Sequence, residues 1–437
     1  MRTKTLLILA LIVALAFPVI SAEPKVKFGG LIYTYGFFHS NTDFDKDTKD
    51  GNSYLYIHAD IQTTVDFGKG VTFYTMLGAW SQHGANPYWG VDLQGYPDPS
   101  LRILQGYIEV KNIGNSPISF TIGKKRLLYG DGAVLFDGGE DGATGLWLNY
   151  SKGKVNADLF YIRLAQSHGI AYVGAPFYGG YNPESYDGYP GNINLIGIYS
   201  TITFSKAINL QPYLIFRPWN VEAGHSASPM WAGVRLEGNL KSLSFALEYT
   251  QMGGEDGYGV KYKGYELLAK ADYSFSSKFA MGAAYVSFSG DDDPTDGSNY
   301  LYESATNGPY TFGFYKDWPG FGPAHLMTTG YGFAGLDPGN TTMTNLNTIN
   351  FHISLSLGAF TLRGDLFVYA RNKVAPGGHK SMGNELAFLA KYNYRERITF
   401  GFTAGAWSPG DYFKKDLELE GRAATAYGGY FWTALAF

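Results

Sequence analysis

The sequence contains no cysteine. Disulfides, thiolate metal centres and cysteine nucleophiles are therefore excluded. Charge is also scarce: Asp, Glu, Lys and Arg make up 16% of the 437 residues, against roughly 25% in an average soluble domain. The formal net charge of −4 leaves no electrostatic support for a nucleic-acid partner. Long apolar runs are missing after the first residues. The run from Leu6 to Ile20 is preceded by Arg2 and Lys4 and followed by "SA" before Glu23. It is short of the ~20 residues that a membrane-spanning helix needs. This layout predicts a secretory signal peptide over residues 1–22, with the mature chain, 23–437, as one domain. No later stretch could cross a membrane as a helix. If the mature chain enters a bilayer it does so as a closed barrel, because only helices and closed barrels satisfy the backbone there.

What the chain does contain is glycine (57 residues) and aromatics, with 35 Tyr, 30 Phe and 8 Trp. The aromatics sit in alternating patterns. In "TINFHISLSLG", residues 348–358, the positions Ile349, Phe351, Ile353, Leu355 and Leu357 alternate with Thr348, Asn350, His352, Ser354 and Ser356. Period two is the mark of a strand with one apolar and one polar face. The same pattern predicts strands near 28–38, 54–67, 71–80, 101–112, 118–126, 143–151, 154–164, 193–204 and 208–217. It continues at 231–239, 242–251, 264–275, 279–289, 346–357, 360–371, 384–394, 398–407 and 426–437. These are about eighteen segments of about ten residues, the length that crosses a bilayer when tilted.

The connections discriminate between architectures. Long polar, Gly-rich or aromatic segments alternate strictly with short ones such as "GKG", "GNSP", "KGK", "SKA", "LKS", "SSK" and "YRER". A soluble all-β sandwich has no reason to alternate in this way. A transmembrane antiparallel β-barrel does, having an even strand number, short periplasmic turns, long external loops and aromatic girdles. The fold class expected is therefore all-β: an outer-membrane barrel of about 18 strands. The first strand starts a few residues after the expected cleavage site, which leaves no segment for an N-terminal plug.

On the polar faces the register places the cations Lys111, Lys125, Arg217, Arg235, Lys270, Arg363, Arg371 and Lys391. It places there the anions Asp60, Asp66, Glu109, Asp158, Glu237, Glu248, Glu266, Asp272, Asp365 and Glu385, and also His352. The lumen is thus expected to be mixed in charge, with most of these groups solvated on the wall. A barrel of this size leaves an aqueous channel, and the reading is a passive porin for small hydrophilic or saccharide-like solutes with no cofactor. The alternative from another class is a structural or partner-binding barrel.

Three stretches resemble a known family. "FTIGKKRLLYGDGAVLFDGG" (residues 120–139) is similar to the glycine-basic-polar and Tyr-Gly-Asp segment of alginate-export-type porins, and "YTFGFYKDWPGFGPAHLMTTGYGFAGLDPGNTTMTNLNTIN" is similar to their long aromatic and glycine loop. The terminal "AYGGYFWTALAF" resembles the last strand of outer-membrane proteins generally, with Phe431, Leu435 and Phe437 at the matching positions. The resemblance implies an eighteen-strand barrel and recognition of the Phe437 end by the outer-membrane assembly machinery, with outer-membrane lipids around the wall. Where the family has Gly-Arg-Gln, this chain has Gly123-Lys124-Lys125, and its lumen is balanced rather than arginine-rich. That implies a relative with a solute other than alginate.

Four further features compete for a role. His352 and Ser354 form a His-x-Ser pair like that of outer-membrane phospholipases, but the period places both away from the lipid face that such a lipid hydrolase would use. Asp292, Asp296 and Glu303 lie near calcium-loop spacing, with Pro294 at a usual ligand position; a solvated loop is the plainer reading. Tyr172, Phe177, Tyr178, Tyr181, Tyr186 and Tyr189 crowd one external loop, for sugar stacking or for self-packing. The segment 290–345 is far longer than the other connections and rich in aromatics. It is expected to fold into the mouth and narrow the pore, with Trp318 and His325 near the constriction.

Overall fold

A computed structural model describes residues 23–41, 43–48, 51–84, 100–136, 142–165, 193–222, 225–293, 295–305 and 344–437. Eighteen strands form a single sheet. In chain order they are β1 (Lys25–Ser40), β2 (Asn52–Asp66), β3 (Val71–Gly84), β4 (Ser100–Val110), β5 (Ile118–Lys125) and β6 (Ala143–Lys152). Then come β7 (Val155–Ala165), β8 (Ile193–Ser205), β9 (Ile208–Phe216), β10 (Met230–Leu240), β11 (Leu243–Gly253) and β12 (Tyr265–Ser274). The last six are β13 (Phe279–Phe288), β14 (Leu346–Leu357), β15 (Phe360–Arg371), β16 (Ser381–Tyr394), β17 (Ile398–Pro409) and β18 (Ala426–Ala436).

Every strand pairs antiparallel with its sequence neighbours, and β1 pairs with β18, Leu31 opposite Ala436, to close the ring. Closure removes the two edges that an open sheet would expose. Each expected strand is present. The first hairpins run longer than the apolar pattern indicated, β1 to Ser40 and β2–β3 out to the Tyr54–Gly84 pair. Backbone pairing continues there after the apolar alternation has ended.

Eight short connections gather at one end of the barrel with both described termini, and nine longer ones at the other. The tight turns are built from residues that accept positive φ. In "GKG", Gly68, Lys69 and Gly70 have φ of 78°, 49° and 83°. A Cβ on Gly70 would sit 2.9 Å from the carbonyl oxygen of Lys111, so the residue there is fixed by space as well as by conformation.

The two strand faces differ as the alternation requires. On β14, Ile349, Phe351, Ile353, Leu355 and Leu357 are 39–54% exposed, whereas Thr348 and Asn350 are 0% and 1%. The same exposed apolar series runs round the ring, through Ile61, Ile108, Leu148, Leu159, Ile198, Leu247, Met281, Leu366, Leu386 and Phe402. A continuous belt of this size is unstable in water and stable in hydrocarbon. The fold is thus a closed transmembrane β-barrel. The lipid-side apolar face needs no protein partner, and the packed apolar core lies on the inner side instead.

That core caps the long-loop end. Phe44, from the β1–β2 connection, packs on Trp407 and on Phe413 of the β17–β18 connection, with ring centroids 5.0 and 4.3 Å away. Asp45 pairs with Arg422, and His379 with Asp416 at 2.6 Å, binding neighbouring loops to one another.

Candidate functional site: a lumen crossed by an inward loop

The connection between β5 and β6 does not stay at the rim. Leu127, Ala133, Val134 and Leu135 are almost completely buried and join one apolar cluster with Trp231, Leu268, Val286 and Phe288 from the inner wall of β10, β12 and β13. These strands lie four to eight positions round the ring from β5 and β6, so the loop spans a chord of the barrel. Its tip is "YGDG", in which Gly130 and Gly132 take φ of 59° and 82°. A Cβ on Gly130 would approach Glu248 Oε2 to 3.1 Å. The two glycines turn the chain so that Asp131 faces the wall.

Asp131 bridges two wall cations. Its Oδ2 accepts from Arg235 Nη1 at 2.8 Å and its Oδ1 from Lys270 Nζ at 2.7 Å. Both partners are at mid-strand, Arg235 in β10 and Lys270 in β12, so the contact sits near mid-height. Burial alone would raise the Asp131 carboxyl, but Lys270 and Arg235 hold it below the ordinary carboxylate range. Arg235 is shared further, with Glu248 at 3.0 Å and Glu237 at 3.3 Å. Beside it, Tyr213 donates to Glu248 at 2.9 Å and Thr250 donates to Glu266 at 2.7 Å. Tyr129 of the loop packs against Tyr199 in a tilted pair with ring centroids 4.6 Å apart and donates to Asp158 at 3.1 Å.

A second connection meets this loop. Tyr302, from the described start of the 290–345 segment, is fully buried and donates to Ala133 O at 3.1 Å. Glu303 O accepts from Trp231 Nε1 at 2.6 Å, and its carboxylate lies 3.5 Å from Arg217, whose guanidinium also sits over the Trp231 ring. Trp318, His325 and the rest of 306–343 lie outside the described residues, as do the Tyr-rich loop 166–192 and the segment 1–22.

The inner-face charges fall into two groups. Asp60, Arg217, Arg235, Glu248, Glu266, Asp365 and Glu385 are at most 6% exposed. For these the expectation of solvated wall groups is corrected: they are buried, and each makes at least one hydrogen bond or ion pair, while Asp60 Oδ2, Glu266 Oε1 and Glu385 Oε1 accept no hydrogen bond from the described residues. Glu385 accepts from Tyr369 at 2.9 Å, and Asp365 takes the Arg363 fork at 2.7–3.1 Å. By contrast, the side chains of Lys111, Glu237, Lys270 and Asp272 keep 54, 35, 26 and 41% of their surface open. Glu109 pairs with Lys111 at 3.2 Å, Lys125 lies over the Tyr107 and Trp147 rings, and Arg371 donates to Tyr412 at 2.9 Å. Asp66 and Lys391 sit toward the short-turn end, on inner-face positions of β2 and β16.

The side chains of the two remaining motifs make structural contacts, the first on the wall and the second in the β13–β14 connection. His352 contacts Asn350 through Nδ1 at 2.9 Å and Asp272 through Nε2 at 2.6 Å. Both ring nitrogens are committed, so neither is free to activate Ser354, and the lipid side carries Ile353 and Leu355. Asp292 pairs with Lys373 at 3.2 Å and Glu303 with Arg217, while Asp296 accepts from the Ser298 backbone at 2.8 Å. Among the described residues no three acidic or histidine side chains converge as a metal site.

Sequence reasoning did not single out Asp131 as a site residue. Its signal was present: an acidic residue between two glycines, in a loop whose flanking Leu127 and Val134–Leu135 are too apolar for an open turn.

No family model matches the sequence, and no curated protein matches it. Solved structures do share the fold. OccAB2 of Acinetobacter baumannii is 10% identical with a TM-score of 0.58, the match covering 94% of this chain and 98% of that one. The outer membrane protein opdK of Pseudomonas aeruginosa is 9% identical with a TM-score of 0.58 and the same coverage. OccK7 (OpdD) of Pseudomonas aeruginosa is 11% identical with a TM-score of 0.56, covering 95% and 99%.

Proposed function

We infer that the chain is a passive outer-membrane porin, exported by a signal peptide over 1–22, that conducts small hydrophilic solutes down their gradient. The observation that carries this reading is the radial order of the barrel: an uncharged apolar belt outside, titratable groups inside, and a loop that enters the lumen to mid-height. A sheath or scaffold needs the belt but has no use for a mixed-charge interior narrowed from within. The shared fold with an outer membrane protein of Pseudomonas aeruginosa supports the location. The open surfaces of Lys270, Asp272 and Glu237 put both charge signs beside the path, which suits neutral polar or zwitterionic solutes better than strongly charged ones. Kinship with alginate-export barrels rests on the loop and terminal segments alone, and the balanced lumen argues for another solute. Phe431, Leu435 and Phe437, exposed on the outer side of the closing strand, fit a C-terminal signal read by the assembly machinery.

Liposome swelling tests this reading. Vesicles carrying the refolded barrel should swell in isotonic small sugars or amino acids at a rate that falls with solute size. Swelling no faster than in empty vesicles would favour the partner-binding alternative.

A further inference from the structure

The outer face of the barrel is almost free of charge. Within the eighteen strands, among the described residues, the register turns only three charged side chains outward: Lys124, Lys152 and Arg163. Lys152 ends β6 at the short-turn side. Lys124 and Arg163 are both at the long-loop end, and they are close neighbours. Lys124 of β5 is directly opposite Thr144 of β6, Thr144 is opposite Arg163 of β7, and Arg163 is opposite Asn194 of β8. The row Lys124–Thr144–Arg163–Asn194 crosses four adjacent strands at one height, with the two cations roughly 10 Å apart by two strand spacings.

The row is built rather than frayed. Arg163 Nε donates to Asn194 Oδ1 at 3.1 Å, and its Nη2 donates to Tyr161 Oη at 3.0 Å. Tyr161 donates in turn to Asn194 Oδ1 at 2.8 Å. The guanidinium is therefore held flat on the outer wall, with Nη1 outside both bonds. Lys124 Nζ is drawn sideways along the wall onto Ile103 O at 3.0 Å. Directly below lie Tyr161, Ile122 and Leu146, the upper margin of the apolar belt.

We propose that this row binds the phosphate group of an outer-leaflet glycolipid. Position and charge both select that occupant. The site is level with lipid headgroups, it faces away from the lumen, and its four row residues supply two cations, a hydroxyl and an amide. A phosphate ester offers several acceptor oxygens for Lys124 Nζ, Arg163 Nη1 and the Thr144 hydroxyl at once, while the acyl chains lie against Ile122 and Leu146. An unpaired cation in this place would merely extend toward water; fixing Arg163 with Tyr161 and Asn194 orders it for a ligand. The proposal rests on the belt meeting lipid but not on the barrel conducting solutes.

Native mass spectrometry of the intact barrel tests it. The probes are a bisphosphorylated lipid A and its dephosphorylated form, presented in mixed micelles. The wild type should retain the phosphorylated lipid. The Lys124→Gln/Arg163→Gln pair should retain roughly thirtyfold less, from about fivefold for each cation near a lipid surface. Lys124→Arg should retain it nearly as well as the wild type, whereas Arg163→Lys, which loses the bonds to Tyr161 and Asn194, should retain it less well. Equal retention of the two lipids by the wild type, which needs no variant to fold, would overturn the proposal. So would undiminished retention by the Gln pair, or displacement of the lipid by millimolar inorganic phosphate, which would mark a simple anion site.

Discussion

Replacing Asp131 with Asn removes one negative charge while keeping the shape of the loop tip. In the wild type the carboxylate receives two charge-assisted bonds, from Arg235 and Lys270. Such bonds contribute ~1.5–3 kcal/mol each when one partner is charged. The loss is smaller than their sum. Arg235 keeps Glu248 and Glu237, and Lys270, a quarter exposed, regains water. A net cost of about 2–3 kcal/mol for holding the tip at the wall remains, which changes its docked population by a factor of roughly 30–150. The buried Val134 and Leu135 still anchor the base of the loop. Asp131→Asn should therefore leave the barrel folded, raise the noise of single channels, and shift the reversal potential in a salt gradient toward anions, because two wall cations lose their shared counter-charge. Unchanged selectivity and unchanged current noise in a folded variant would refute the reasoning.

Three other outcomes follow from the same geometry. Arg at Ile353 or Phe351 places a charge in hydrocarbon and should cost ~2–4 kcal/mol near the midplane, whereas Arg at Ser354 should cost little; equal losses in urea-unfolding titrations would contradict the face assignment. Asp131 has a depressed carboxyl, so its contribution is complete above the ordinary value of 3.8 and lost only as pH falls through the lower folded value; selectivity should hold steady from pH 7 to about 5 and shift toward anions only in stronger acid, and a midpoint near neutrality would point to another group. Single cysteines at Lys46 or His379 in this cysteine-free chain should react with an impermeant maleimide on intact cells, and cysteines at Lys69, Lys152 or Ser276 should not; the reverse pattern would invert the topology.

The barrel was legible because each strand is an independent record of it. Ile353 next to Ser354 already says which side is lipid, and "GKG" or "KGK" says which end has the short turns. Eighteen such records agree, so errors of a few residues at Ser40 or Gly84 do not alter the architecture. The site was less legible because its contacts are not local. Arg235 and Lys270 read as wall cations from period two alone, but their partner lies more than a hundred residues away in a loop whose path no periodicity describes. The burial of Glu248 and Glu266 has the same cause: alternation reports the face of a residue, and only the loop decides whether that face is wet. The expectation that 290–345 narrows the mouth concerns residues that lie mostly outside the described ones; the described part of a second connection, 126–136, enters the lumen, and its apolar flanks and Gly-Asp-Gly tip were a signal that the strand periodicity did not carry.

The most direct test of the account is the current carried by the refolded wild-type barrel in a planar bilayer. A pore narrowed by a mid-height loop predicts discrete, ohmic steps that are weakly ion-selective and smaller than those of a deletion of residues 128–135. A folded wild-type barrel that inserts and gives no steps, together with a deletion variant that is equally silent, would contradict it.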